Sequence, residues 1–139
     1  MFYTGLKRKA SDILTQQKKE TANKLDTLTR LRDLAGRMRE VLVGDGDLQT
    51  FGKLLHEGWI NKRGIVSDIT NDTIDNYYER ALKAGAVGGK LLGAGGGGFI
   101  LLYVPEEKQD SVRAELSELK ELPVSLEPQG SKIIYVSGT

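Results

Sequence analysis

No cysteine occurs in the 139-residue chain, and histidine occurs once, at position 56. Disulfides, thiolate metal sites and cysteine nucleophiles are therefore excluded, and a lone His56 cannot assemble a metal site without partners. No protein-bound metal is expected. The lack of cysteine fits a reducing compartment. Long apolar runs are lacking as well, since none approaches the roughly 18 residues of a membrane span. The opening "MFYTGLKRKA" has no signal-peptide core. A cytoplasmic protein without membrane contact is the expectation. Nor is there an excess of charge of one sign: 20 basic side chains face 19 acidic ones, which leaves no electrostatic case for nucleic acid.

What is present in excess is glycine. The chain has 17, well above the usual ~7% of residues, and eight of them lie between Gly85 and Gly98. The excess is one local device in an otherwise ordinary globular composition, 39% apolar and 28% charged, and the length suits one domain over residues 1–139.

Hydrophobic spacing divides the chain into elements. "MFYTG" reads as the last residues of a strand whose beginning is missing, so the chain is expected to be a fragment or to have an unusual start. Ser11 and Asp12 suit a helix entrance. Leu14, Thr21, Leu25, Leu28, Leu31, Ala35, Met38 and Leu42 form a stripe of helical period, read as core, which "QQKKETANK" is expected to divide into two helices. "VGDGD" ends it, and Asp47 is placed to cap a helix from Leu48 to about Ile60 with Leu48, Phe51, Leu55 and Trp59 along one side. "NKRGIVSDITND" is expected as a loop. Asp72, with Asp75 three residues on, resembles a capping arrangement for a helix ending at Gly85. "GGKLL" and "FILLYVP" have strand length, "EEKQDSVRAELSELKEL" has helical spacing at Val112, Leu116 and Leu119, and "PVSLEP" and "KIIYVS" read as closing strands. This order predicts an α+β fold, ferredoxin-like, with helices packed on one face of a mainly antiparallel sheet.

The glycine run "KLLGAGGGGF" lies between the two central strands. Gly93, Gly95 and Gly98 formally satisfy G-x-G-x-x-G, but the dinucleotide fingerprint requires a helix to begin there, and strand material follows instead. A Walker loop fails because Phe99 and Ile100 stand where Lys and Ser/Thr belong. A plain glycine-rich connection, with or without a bulge, remains open. Four successive glycines are costly for so simple a task. They make sense where backbone must approach something closely, or where N–H groups converge on an anion.

The run resembles the third motif of the GHMP small-molecule kinases. The resemblance extends through "FYTGLKRKASDIL", "LLHEGWINKRGI", "ITNDTIDNYYERALKAGAVGGKLLGAGGGGFILLYVP" and "GSKIIY". Together these stretches look like the D-glycero-D-manno-heptose 7-phosphate kinases within that family. The match is less specific for the sugar, because L-fucose kinases share the "GW…K" and "KLLGAGGGGF" elements. The resemblance implies an ATP-dependent sugar kinase of which this chain is the carboxy-terminal domain. ATP and Mg²⁺ would be bound mainly by an amino-terminal domain absent from the sequence, which would also hold the catalytic residue. The glycine motif, Gly93, Ala94, Gly95, Gly96, Gly97 and Gly98, would lie beside the ATP phosphate loop.

The other candidates carry two readings each. His56, Trp59, Lys62 and Arg63 match a "HEGW…KR" element and suit a sugar phosphate, Trp59 as a stacking face and the two cations as phosphate partners. They suit equally a half-buried helix face with a solvated basic end. Arg8 either reaches the active-site cleft or belongs to a solvated Lys7–Arg8–Lys9 cluster. Asp68, Asp72 and Asp75 look like paired carboxylates, but capping explains Asp72 and Asp75 more cheaply than acid–base chemistry. The expected partners are the amino-terminal kinase domain and a sugar phosphate. The surface where that domain would sit predicts self-association of the chain. A ferredoxin-like module that binds a small anion without chemistry is the alternative.

Overall fold

The computed structural model describes residues 1–7, 11, 15, 24–65, 67–93, 95–125 and 129–132. Strand β1 (Phe2–Tyr3) is followed by helices α1 (Leu25–Val43), α2 (Leu48–Arg63) and α3 (Asp72–Ala84). A hairpin of β2 (Gly88–Leu92) and β3 (Phe99–Tyr103) comes next, then α4 (Gln109–Glu115) and β4 (Lys120–Glu121). The sheet order is β2-β3-β1-β4 with every pairing antiparallel. This is the ferredoxin-like order, and the expected fold class holds.

Local chemistry accounts for most boundaries. The Asp47 carboxylate accepts from the Gln49 amide at 2.9 Å and starts α2, as its position in the sequence predicts. At α3 the cap is Asn71, whose side chain accepts from the Ile74 amide at 3.0 Å. Asp72 and Asp75 occupy the first turn, where a negative charge favours the helix end, so the capping role moves one residue upstream of the expectation. Gly85 closes α3 in the left-handed region at φ 119°.

Tertiary contacts overrule the sequence pattern in three places. Helix α2 runs through Asn61, Lys62 and Arg63, which read as loop, because Arg63 reaches across to Asp75 of α3 at 2.6 Å. Helix α4 stops at Glu115 instead of running on toward Leu122, since the chain must reverse for Lys120–Glu121 to pair with Phe2–Tyr3. The closing strand therefore lies ahead of "PVSLEP": the Leu122 amide still donates to Met1 O at 2.7 Å, but Pro123 has no N–H to continue the ladder. Val124 is exposed, and Leu126 and the "IIYVS" of the last predicted strand lie outside the described residues. The α1 stripe is likewise only partly core. Leu28 and Leu31 pack on the core and Leu34, off the predicted stripe, is buried, whereas Leu25, Ala35 and Leu42 are exposed.

Helix α2 rests directly on the sheet, and α1 packs on α2. Two glycines make that approach: a Cβ on Gly88 would lie 2.0 Å from Gly52 O, and one on Gly52 would lie 2.5 Å from the Tyr103 ring. One core cluster gathers Trp59, Ile69, Tyr78 and Leu91 below this contact; a second joins Phe2, Ala81, Val112 and Leu116. Arg80 ties α3 to the turn after α4 through Glu115 and Glu118. Among the described residues no helix is long and apolar enough to cross a membrane.

Candidate functional site

The glycine run is the hairpin loop between β2 and β3, closed by the pair Leu92↔Phe99. Gly93, Gly95, Gly96 and Gly98 take φ values of 97°, 116°, 70° and 100°, which side chains rarely adopt. Gly97 does not, but a Cβ there would lie 2.4 Å from Leu6 O. The loop is wedged between the segment after β1 and the 3-10 turn Ser67–Ile69. Four hydrogen bonds fix it. The Gly96 amide donates to Ile69 O at 2.8 Å, the Gly98 amide to Leu6 O at 3.1 Å, and the Thr4 amide and hydroxyl both donate to Gly98 O at 2.9 Å. Asn71 adds a longer contact from its side-chain amide to Gly96 O, 3.4 Å.

Two of the loop amides are thus committed to the chain's own carbonyls, so the close approach that the glycines permit is partly internal. The Gly95 and Gly97 amides take part in none of these bonds. Ala94 and Arg8 lie outside the described residues.

The second group lies along α2. Gly52, His56, Trp59 and Arg63 recur at helical spacing, so the seat at Gly52 aligns the rest over β2 and α3. His56 Nδ1 is 2.8 Å from the Tyr78 hydroxyl, with the two rings stacked 5.8 Å apart. The same hydroxyl donates to Gly89 O at 3.3 Å and accepts from the Gly89 amide at 3.1 Å. One O–H donor and two acceptor positions satisfy all three contacts when His56 carries its proton on Nδ1. Burial, opposed by the Gly89 bond, pushes the Tyr78 phenol up to about 12.

Trp59 is 2% exposed and tilted against Tyr78. It lies in the core and reaches the surface only as lining of the cleft between α1 and α2, so no sugar face can stack on it without rearrangement. Arg63 donates to the Asp75 carboxylate at 2.6 Å, and Thr70 donates to the other oxygen at 2.7 Å. Asp75 therefore serves as a brace, and its pairing engages one of the guanidinium nitrogens of Arg63. Lys62 points to a different place, a cleft between α1 and α2 that it shares with Lys90. Burial first, then the Lys90 charge, lowers the Lys62 ammonium below the usual lysine range. Among the described residues no group of three or more His, Asp or Glu side chains is placed to hold a metal ion.

Sequence reasoning did not single out Lys90, Tyr78, Asn71 or Thr4 as site residues. Only Lys90 carried a signal, standing three residues before Gly93 in the glycine motif; the others act through long-range contacts that no local pattern announces.

Residues 27–121 match the family model described as GHMP kinases C terminal. The chain is 30% identical over 117 residues to the D-glycero-alpha-D-manno-heptose 7-phosphate kinase of Campylobacter jejuni, covering 82% of this chain and 34% of that protein. It is 28% identical to a galactokinase of Thermococcus kodakarensis, over 86% of this chain and 41% of the relative. To the bifunctional fucokinase/GDP-fucose pyrophosphorylase of Arabidopsis thaliana it is 30% identical over 73% of this chain and 10% of that protein. Among solved structures, L. major mevalonate kinase in complex with R-mevalonate superposes with a TM-score of 0.70 at 24% identity, over 84% of this chain and 36% of the other, a likeness of fold. The chain spans between a third and a half of the length of the first two relatives.

Proposed function

The chain belongs to the GHMP kinases C-terminal family, and on that premise we propose that it forms the sugar-side half of an ATP-dependent sugar kinase acting on a heptose phosphate. The observation that carries this reading is the wedged loop Gly93–Gly98, a strand-to-strand glycine hairpin inside the matched span. Phosphoryl transfer depends on alignment and on stabilising charge at the transferring group. In this reading the Gly95 and Gly97 amides face the nucleotide phosphates across a domain boundary. Arg8, His56 and Arg63 form a polar wall toward the sugar phosphate, Trp59 supports that wall from beneath, and Lys62 stands apart in the α1–α2 cleft.

ATP and Mg²⁺ are held mainly by an amino-terminal kinase domain, the partner of this chain, which also supplies the catalytic residue. The metal neutralises charge on the phosphates when bound. Alone, the chain has little or no turnover and self-associates through the face that the partner domain covers. The location is cytoplasmic.

The test is a phosphoryl-transfer assay with ATP, Mg²⁺ and heptose 7-phosphate, galactose or L-fucose. It is run on this chain alone and on the chain completed with the amino-terminal half of a related kinase. Transfer only in the completed protein, and fastest to heptose 7-phosphate, is the expected result. Faster transfer to fucose or galactose overturns the sugar assignment, activity of the chain alone overturns the division of labour, and silence with all three sugars overturns the kinase reading.

A further inference from the structure

We propose that the cleft between α1 and α2 binds a small amphipathic anion, an alkyl chain seated against Leu31, Leu34, Met38 and Trp59 with its carboxylate or phosphate head between Lys62 and Lys90. The cleft holds about 260 Å³ and, the two lysines apart, is lined by Leu31, Leu34, Ala35, Met38, Leu55, Gly58 and Trp59. Two ammonium groups face it, and among the described residues no carboxylate lies within ion-pair distance of either. Burial first, and then the neighbouring Lys90 charge, disfavours the Lys62 ammonium. An anion between them removes both costs at once.

One residue of the lining also carries a buried polar atom without a partner. The indole N–H of Trp59 is buried without an acceptor among the described residues, and native structures rarely leave a buried donor so. The apolar lining argues against a sugar in this place. A polyol would give up water at several hydroxyls and find no partners, whereas an alkyl chain gains from every carbon it buries. The inference does not depend on the kinase reading, because it rests on the lining of the cleft and its two cations alone.

Trp59 is the only tryptophan and lines this cleft, so tryptophan emission responds to an occupant there. Titration of the chain with octanoate and with octyl phosphate is expected to change that emission saturably, at a dissociation constant below about 1 mM. Inorganic phosphate at matched ionic strength, a head without a chain, and octanol, a chain without a head, each bind at least about tenfold more weakly. Lys62→Met and Lys90→Met each weaken octanoate binding at least about tenfold, while Lys62→Arg, which keeps the charge, retains it. A change that never saturates overturns the proposal, as does binding indifferent to both Lys→Met substitutions. Displacement of octanoate by heptose 7-phosphate overturns it too, because the cleft would then belong to the sugar.

Discussion

A Cβ atom on Gly88 would stand 2.0 Å from the carbonyl oxygen of Gly52, so α2 and β2 touch backbone to backbone. Neither group can move aside without shifting a whole element. Gly88→Ala is therefore expected to destabilise the fold by at least about 2 kcal/mol, near the middle of the overpacking range. For a chain of this length that is a melting temperature lower by about 8 °C. Gly52→Ala meets the Tyr103 ring and the Val87 side chain, at 2.5 and 2.9 Å, which can yield in part. It is expected to cost less. Thermal melts of the two variants, ranked in the opposite order, would contradict this account of how α2 is seated.

The glycine loop separates two demands that substitution can tell apart. At Gly97 an added Cβ would lie 2.4 Å from Leu6 O, whereas at Gly93 there is nothing within 4 Å and only the φ of 97° opposes a side chain. Gly97→Ala is expected to push the loop off the segment after β1 and break the Gly98–Leu6 bond. Gly93→Ala costs about 1 kcal/mol of backbone strain and leaves those bonds intact. Amide exchange at Gly98 checks this, with fast exchange expected in the Gly97 variant alone. In the completed kinase, the same variant is expected to lose turnover far beyond its loss of stability.

Tyr78 gives the fold an alkaline limit. Its phenol ionises near 12 in the folded chain, against about 10 when exposed. The folded state thus binds the proton more tightly, and the stability from this group is complete below pH 10. It is lost as pH rises through 12, amounting to about 2–3 kcal/mol in total. Urea unfolding between pH 9 and 12 is expected to show the decline in the parent and a weaker one in Tyr78→Phe. That variant also leaves His56 Nδ1 and both polar groups of Gly89 without their shared partner. It should therefore be less stable at neutral pH by about 2–4 kcal/mol.

The sequence made the hairpin legible because strand-length apolar runs flank a dense breaker, and α3 because a cluster of capping residues precedes it and Gly85 ends it. It did not make β4 legible. Lys120 and Glu121 have neither strand composition nor alternation, and they are a strand only because Phe2 and Tyr3 lie beside them. The last turn of α2 was hidden for a similar reason, since Asn61, Lys62 and Arg63 look solvated until Asp75 is placed opposite. For the site, residue types were readable and directions were not. His56, Trp59, Lys62 and Arg63 read as one face, but the fold sends them to four surroundings: the Tyr78 hydroxyl, the core, the cleft and Asp75.

Lys62 offers a trade between stability and binding. Its ammonium is disfavoured by burial and by Lys90, so an apolar side chain of similar length in the same cleft removes an unfavourable charge. Lys62→Met is expected to raise the melting temperature of the unliganded chain, whereas octanoate raises that of the parent and leaves the variant unchanged. A variant less stable than the parent would mean that the Lys62 charge already has a partner.

The Arg63–Asp75 pair connects the packing of α2 on α3 to the proposed sugar wall. Both side chains are partly buried, and Asp75 is also held by Thr70. Removing the cation strands a carboxylate, so Arg63→Met is expected to cost about 1–3 kcal/mol, less than a fully buried pair. Asp75→Asn keeps the Thr70 contact and costs less. A double-mutant cycle should return a coupling of about 1–2 kcal/mol, since the residues touch. Kinetics of the completed kinase then distinguish a brace from a ligand. If Arg63 also meets the sugar phosphate, Arg63→Met raises the KM for that substrate by about tenfold or more, the loss of one charge-assisted hydrogen bond. Asp75→Asn, which leaves the guanidinium in place but less well oriented, raises it only a few-fold. Equal effects of the two substitutions on KM would make the pair structural, and Arg63 would leave the sugar wall.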